Sequence, residues 1–172
     1  MQTWRPDPTF YPTPRAAMQA PPERLAYVAA LNPPGSKLHD AILVIDVDPG
    51  SPSYGKRIGQ TVLPHAGDEL HHFGWNACSS ALCPYAPHPH VERRYLVVPG
   101  IRSSRIYLLD TKPDPRNPAL VKTIQPEEVF ARTGYSAPAY CALRTRWHLH
   151  QRLGLSEWRW SRRHFPAGSL QL

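Results

Sequence analysis

A chain of 172 residues is long enough for one ordinary domain with a core of its own. Its 21 prolines and 10 glycines exclude a helix-dominated fold: proline removes an N–H donor and clashes with the preceding turn, whereas short strands between turns tolerate it. The net charge of +7 is uneven, with 14 Lys and Arg against 12 Asp and Glu in residues 1–138 and six arginines against Glu157 alone in residues 139–172, so the body is not a basic nucleic-acid-binding surface.

From the N-terminus, residues 1–15 carry prolines and charges rather than the apolar core of a secretory leader. No later apolar run approaches the roughly 20 residues that cross a bilayer. Cys78, Cys83 and Cys141 are odd in number and form no CxxC pair, which argues against a disulfide framework. The expected compartment is the cytoplasm, with reduced thiols and neither a membrane nor a nucleic acid as partner.

The first patterned stretch runs Glu23-Arg24-Leu25-Ala26-Tyr27-Val28-Ala29-Ala30-Leu31, a loop, and Ala41-Ile42-Leu43-Val44-Ile45-Asp46-Val47-Asp48-Pro49. After a Gly/Ser/Pro turn it continues Lys56-Arg57-Ile58-Gly59-Gln60-Thr61-Val62-Leu63-Pro64. A second stretch echoes it: Glu92-Arg93-Arg94-Tyr95-Leu96-Val97-Val98-Pro99, a turn, Ser104-Arg105-Ile106-Tyr107-Leu108-Leu109-Asp110, a Pro/Asp/Asn turn, and Leu120-Val121-Lys122-Thr123-Ile124-Gln125-Pro126. Each unit reads as strand, turn, strand ending in Asp, turn, strand, in residues that favour pleated backbone. Asp46 and Asp110 lie 64 residues apart. A repeated antiparallel meander predicts β-propeller blades, with a pair of hairpins in a sandwich as the alternative. Two blades alone leave wide apolar faces uncovered, which is unfavourable for a stacked repeat.

Between the units, residues 64–91 form an insert holding five of the nine histidines and two of the three cysteines. Imidazole and thiolate suit copper and zinc. Neighbouring residues of a strand point to opposite faces, so His71 and His72 reach one ion only from a turn. Asp68 and Glu69 are candidates to accept the second ring N–H of a ligating histidine. The bland alternative is a set of ordinary loop histidines near a buried Trp75, with Cys78 as a small core residue. His88 and His90 lie among prolines and read as exposed loop. A zinc module from Cys78, Cys83, His88 and His90 falls outside the usual finger spacing.

The run Asp68-Glu69-Leu70-His71-His72-x-Gly74-Trp75-Asn76-x-Cys78-Ser79-Ser80 resembles the signature of the selenium-binding protein/methanethiol oxidase family. Tyr11-x-Thr13-Pro14-x-x-Ala17-Met18, Ser51-Pro52-Ser53-Tyr54 and Ser103-Ser104-Arg105-Ile106-Tyr107 are in register with it, and the resemblance spans about residues 9–138. It implies an all-β fold, the N-terminal blades of a seven-bladed β-propeller, incomplete here at about two blades. It also implies copper as cofactor, with His71 and His72 among the metal ligands. The implied reaction takes methanethiol, O₂ and water to formaldehyde, hydrogen sulfide and hydrogen peroxide. Selenium binding in some members is assigned to a cysteine after the Ser-Pro-x-Tyr run; Gly55 stands there in this chain, so that property does not carry over. A non-catalytic protein binding selenium, thiols or a metal is the alternative, with Cys78 and Cys83 as its soft ligands.

Past Pro138 the family continues with a His-Thr-x-His element, whereas this chain reads Ala139-Tyr140-Cys141-Ala142-Leu143-Arg144. Back-translated with permissible codons and shifted by one base, the tail restores both that element and a further strand ending in Asp. Residues 139–172 are therefore expected to be an aberrant, irregular basic tail, out of frame, beside a family domain at 1–138. A nucleic-acid-binding arm built on Trp147, Trp158, Trp160 and the arginines is the weaker reading, and a helix around residues 142–155 would be accidental. Without the ligands that follow in the family, the chain is expected to bind metal weakly and to lack turnover.

Overall fold

The computed structural model describes residues 13–76 and 92–134, together with Tyr11 and Ser136. These residues form two antiparallel sheets packed on one another. The first sheet is a meander of β1 (Leu25–Ala30), β2 (His39–Asp46) and β3 (Arg57–Ala66). The second contains β4 (Gly74–Trp75), β5 (Tyr95–Pro99), β6 (Ile106–Asp110) and β7 (Ala119–Ile124), paired in sequence order. The mostly antiparallel, all-β architecture agrees with the sequence reading, and the described sheets do not close on themselves.

Two helices were not anticipated. Helix α1 (Pro14–Met18) starts where Thr13 Oγ1 accepts the Ala16 N–H at 3.1 Å. Helix α2 (Pro126–Thr133) has proline at its first turn, Glu127 and Glu128 at its positive end, and Gly134 as a left-handed cap at φ 69°. Pro126 reads from sequence as the last residue of a strand. Its missing N–H is harmless at a helix start, so β7 ends at Ile124 and the helix begins two residues later. The expected insert at 64–91 is also not a single loop: β3 runs on to Ala66, and Gly74 and Trp75 pair with Val97 and Leu96 as β4.

The repeat is visible in the register. Leu25 opposes Asp46 in the first sheet as Tyr95 opposes Asp110 in the second. The same backbone bond closes both hairpins, from Val47 N–H to Arg24 O at 2.9 Å and from Thr111 N–H to Arg94 O at 3.1 Å.

The core lies between the sheets. Ile42 and Leu63 from the first meet Leu96, Val98, Tyr107 and Leu109 from the second, with Leu70 from the connecting turn, and all seven are at most 1% exposed. Tyr27, Ala29, Phe73 and Trp75 pack around them. Two hydrogen bonds cross the seam at one end: Thr61 Oγ1–H donates to Pro118 O at 2.6 Å, and Tyr27 Oη–H donates to Pro115 O at 2.9 Å. Gly59 lies on the same face of β3 as Thr61. A Cβ at Gly59 would lie 1.8 Å from Arg116 O, so this approach requires glycine.

Candidate metal site

The turn after β3 carries the histidine pair. Gly67 (φ 76°) and Glu69 (φ 50°) both adopt left-handed backbone, and for Glu69 that geometry is uncommon and must be held by its surroundings. Residues 99–102 hold it. His71 N–H donates to Pro99 O at 2.9 Å, Ile101 N–H to Glu69 O at 3.1 Å and Arg102 N–H to Asp68 O at 3.1 Å. Leu70 bridges Gly100 and is buried in the core. His71 and His72 follow directly, outside any strand, so the alternation that would separate them does not apply.

The two rings meet edge to face, centroids 4.5 Å apart and planes inclined at 73°, with Nδ1 of one 2.8 Å from Nδ1 of the other. At that distance one Nδ1–H donates to the lone pair of the other. Two imidazole nitrogens bound at about 2.0–2.1 Å to one ion would be about 2.9 Å apart at a right-angled bite. The spacing of the two nitrogens therefore matches that of two adjacent ligands of one ion, which would sit to the side of the line along which the proton is shared. The donor set, two imidazoles, suits copper among other divalent metals. Among the described residues no group of three or more His, Cys, Asp or Glu side chains converges. Cys78, Cys83, His88, His90, Cys141 and the tail from 139 lie outside the described residues. An open groove of about 440 Å³ runs past the pair, walled by Ala29 of β1, Leu31 just after that strand, Glu69, and Phe73 beyond the histidines.

The carboxylates expected to orient the histidines are engaged elsewhere. Asp68, fully buried, accepts Arg105 Nη1–H at 3.0 Å and Tyr107 Oη–H at 2.5 Å. Glu69 pairs with Arg102. His65, at the end of β3, places Nδ1 3.1 Å from Tyr107 Oη. Because that hydroxyl gives its proton to Asp68, His65 donates through Nδ1–H. Burial first, and the Asp68 carboxylate second, push the Tyr107 phenol above the ordinary tyrosine range. These residues form a buried brace under the turn rather than part of a ligand shell. Asp40 of β2 also contributes, accepting the Leu70 N–H at 3.2 Å from 30 positions earlier in the chain, a contact that no local motif announces.

A turn between two packed antiparallel meanders, presenting paired imidazoles beside a groove of mixed apolar and polar lining, defines a β-protein with a candidate metal-binding loop. The family model described as 56kDa selenium binding protein (SBP56) matches residues 4–145, and the chain belongs to that family. It is 46% identical over 129 residues to selenium-binding protein 2 of Arabidopsis thaliana, covering 74% of this chain and 26% of that protein. It is 41% identical over 129 residues to methanethiol oxidase of Xenopus laevis, again covering 74% of this chain and 26% of the relative. The X-ray structure of a hypothetical selenium-binding protein from Sulfolobus tokodaii matches with a TM-score of 0.70 and 59% identity, covering 76% of this chain and 29% of that one. The chain thus spans about a quarter of the length of the curated relatives it matches. The family match runs past residue 138, where the sequence reading placed its boundary, to 145.

Proposed function

We propose that this chain provides two blades and two metal ligands, His71 and His72, of a copper-dependent methanethiol oxidase site in a β-propeller. The 2.8 Å approach of the two Nδ1 atoms beside the groove is the observation that carries this reading. Bound copper would supply electron transfer between a soft thiol and O₂. The chain's own part is to fix both imidazoles through the 99–102 ladder and to offer Ala29, Leu31 and Phe73 as apolar surface for a small alkyl thiol. The overall reaction would convert methanethiol, O₂ and water to formaldehyde, hydrogen sulfide and hydrogen peroxide.

The stacking of the sheets supports the propeller. The face of the first sheet that bears Asp46 packs on the second, whereas the face of the second that bears Asp110 is turned away from the first. Equivalent faces thus point the same way, as in blades set around an axis. Val28 and Val62, on the opposite face of the first sheet, remain 43% and 53% exposed, an apolar surface suited to a neighbouring blade.

A catalytic copper takes about three or four protein ligands and an open position. With two on the described turn, the proposal is weak copper binding and no turnover by these 172 residues alone, the tail from 139 being out of frame. Copper uptake and methanethiol oxidation, measured on this chain beside one whose frame is restored after residue 138, test it. Copper bound by both and turnover only in the restored protein is the expected result. Turnover by the 172-residue chain would overturn the two-ligand account, and failure of both to bind copper would overturn the metal reading. Sequencing the codons around Ala139 tests the frame independently.

A further inference from the structure

The geometry points to Asp40 as a positioning residue for the His71–His72 pair, an inference that rests on the proposed metal site and extends it to a residue outside the histidine motif. Asp40 lies on β2, 1% exposed, facing the second sheet. One carboxylate oxygen accepts Asn32 N–H at 2.9 Å and Asn32 Nδ2–H at 3.3 Å; the other accepts Leu70 N–H at 3.2 Å. The carboxylate therefore ties the loop after β1, which carries Leu31 on the groove wall, to the residue directly before His71.

Asp40 is a buried carboxyl group whose hydrogen-bond donors among the described residues are all neutral amides. Both of its oxygens accept, so Asn in its place would supply one acceptor oxygen instead of two. Its hydrogen-bond partner Leu70 is the residue directly before the two imidazoles proposed to hold the metal. Groups that orient metal ligands from behind are typically worth about 10–100-fold in metal affinity. Asp68 supports the far side of the turn through Tyr107 and Arg105, while Asp40 supports it from the first sheet and fixes the Leu70 amide, from which the chain turns to His71.

The test uses the full 172-residue chain as wild type, Asp40→Asn and Asn32→Ala. Cu(II) affinity is read by chelator competition, the number of coupled imidazole nitrogens by electron paramagnetic resonance, and backbone protection by amide exchange. For Asp40→Asn the expectation is a loss of about 10–100-fold in Cu(II) affinity and a drop from two coupled nitrogens to one. The Leu70 amide should lose protection while the Val98 and Leu109 amides keep theirs. Asn32→Ala, which spares the Leu70 bond, should keep wild-type affinity. Wild-type affinity with two coupled nitrogens in Asp40→Asn would overturn the assignment, as would an unprotected Leu70 amide in the wild type, a reading that needs no variant to fold. If the wild type takes up no copper, the metal reading fails by itself. The role of Asp40 is then decided in the metal-free protein by nitrogen NMR of the His71–His72 hydrogen bond: its loss in Asp40→Asn supports the assignment and its persistence overturns it.

Discussion

Asp46 and Asp110 do the same work at the ends of β2 and β6: each turns an Oδ1 back to accept the N–H two residues on, from Asp48 at 2.9 Å and from Lys112 at 3.0 Å. A carboxylate that bonds its own backbone in this way starts a turn while completing a strand. The two then differ in what satisfies the remaining oxygen. Ser51, with Oγ 2.5 Å away, and Ser53 both donate to Asp46 Oδ2; on Asp110 it is Arg94 Nη2–H that donates to Oδ2, while Arg94 Nε–H forks back to Oδ1 at 2.7 Å.

Both carboxyls titrate below the ordinary aspartate range, Asp46 through the Ser51 hydroxyl first and Ser53 second, Asp110 through the Arg94 hydrogen bond. A depressed folded-state value means stability that is present above the unfolded aspartate value of about 3.9 and lost as pH falls through the folded one. Asp110→Asn should therefore be less stable than wild type at neutral pH, with the deficit shrinking below about pH 4. Denaturant midpoints compared at pH 7 and pH 3 check this. A deficit unchanged across that range contradicts the assignment.

Gly59→Ala should destabilise the protein towards the upper part of the roughly 1–3 kcal/mol range for overpacked sites, because the new Cβ would meet Arg116 O at 1.8 Å. By register Lys122 opposes Leu108 where Gly59 opposes Val44, so the other face of the second sheet accepts a side chain at the matching place. Urea unfolding of Gly59→Ala beside Lys122→Ala separates the two, and the second should change stability by no more than about 0.5 kcal/mol.

Tyr107→Phe removes the hydroxyl between His65 and Asp68 while retaining the ring in the core. It leaves buried polar groups short of a partner, at a cost of about 1–3 kcal/mol. Leu63→Ala, in the same core and fully buried, should cost about 2–5 kcal/mol through the cavity it opens. Equilibrium unfolding measures both, and a neutral Tyr107→Phe would remove the hydroxyl's role in the brace.

His71→Ala and His72→Ala should each lower Cu(II) affinity at least about tenfold. His71 is half-buried and His72 exposed, so each should shift stability by no more than about 0.5 kcal/mol. Isothermal titration beside thermal unfolding reads the two effects separately. Equal copper affinity in both variants and wild type would exclude the pair as ligands.

Much of the fold is legible in the sequence because short β-branched and aromatic runs, each ended by Asp or by Pro/Gly clusters, allow few alternatives to a meander. The three strands of each unit fall where the pattern puts them, within a residue or two at most ends. Strand β4 was hidden because two residues carry no period, and α2 because Pro126 reads equally as a strand stop and a helix start. The histidine pair was legible as chemistry. Its support was not: Asp68 was read as a partner for a histidine ring, but burial beside Tyr107 and Arg105 engages its oxygens there.

By itself the sequence determined the all-β meander, its internal repeat, the family and the histidine-bearing turn, since these depend on local backbone preference and on residues adjacent in the chain. Only the tertiary structure decided which groups hold that turn. Asp40, Tyr107, Arg105 and the 99–102 ladder come from β2 and the β5–β6 hairpin, tens of residues away. Their meeting follows from packing two sheets on one core, where buried polar groups are held by hydrogen bonds between segments far apart in the chain.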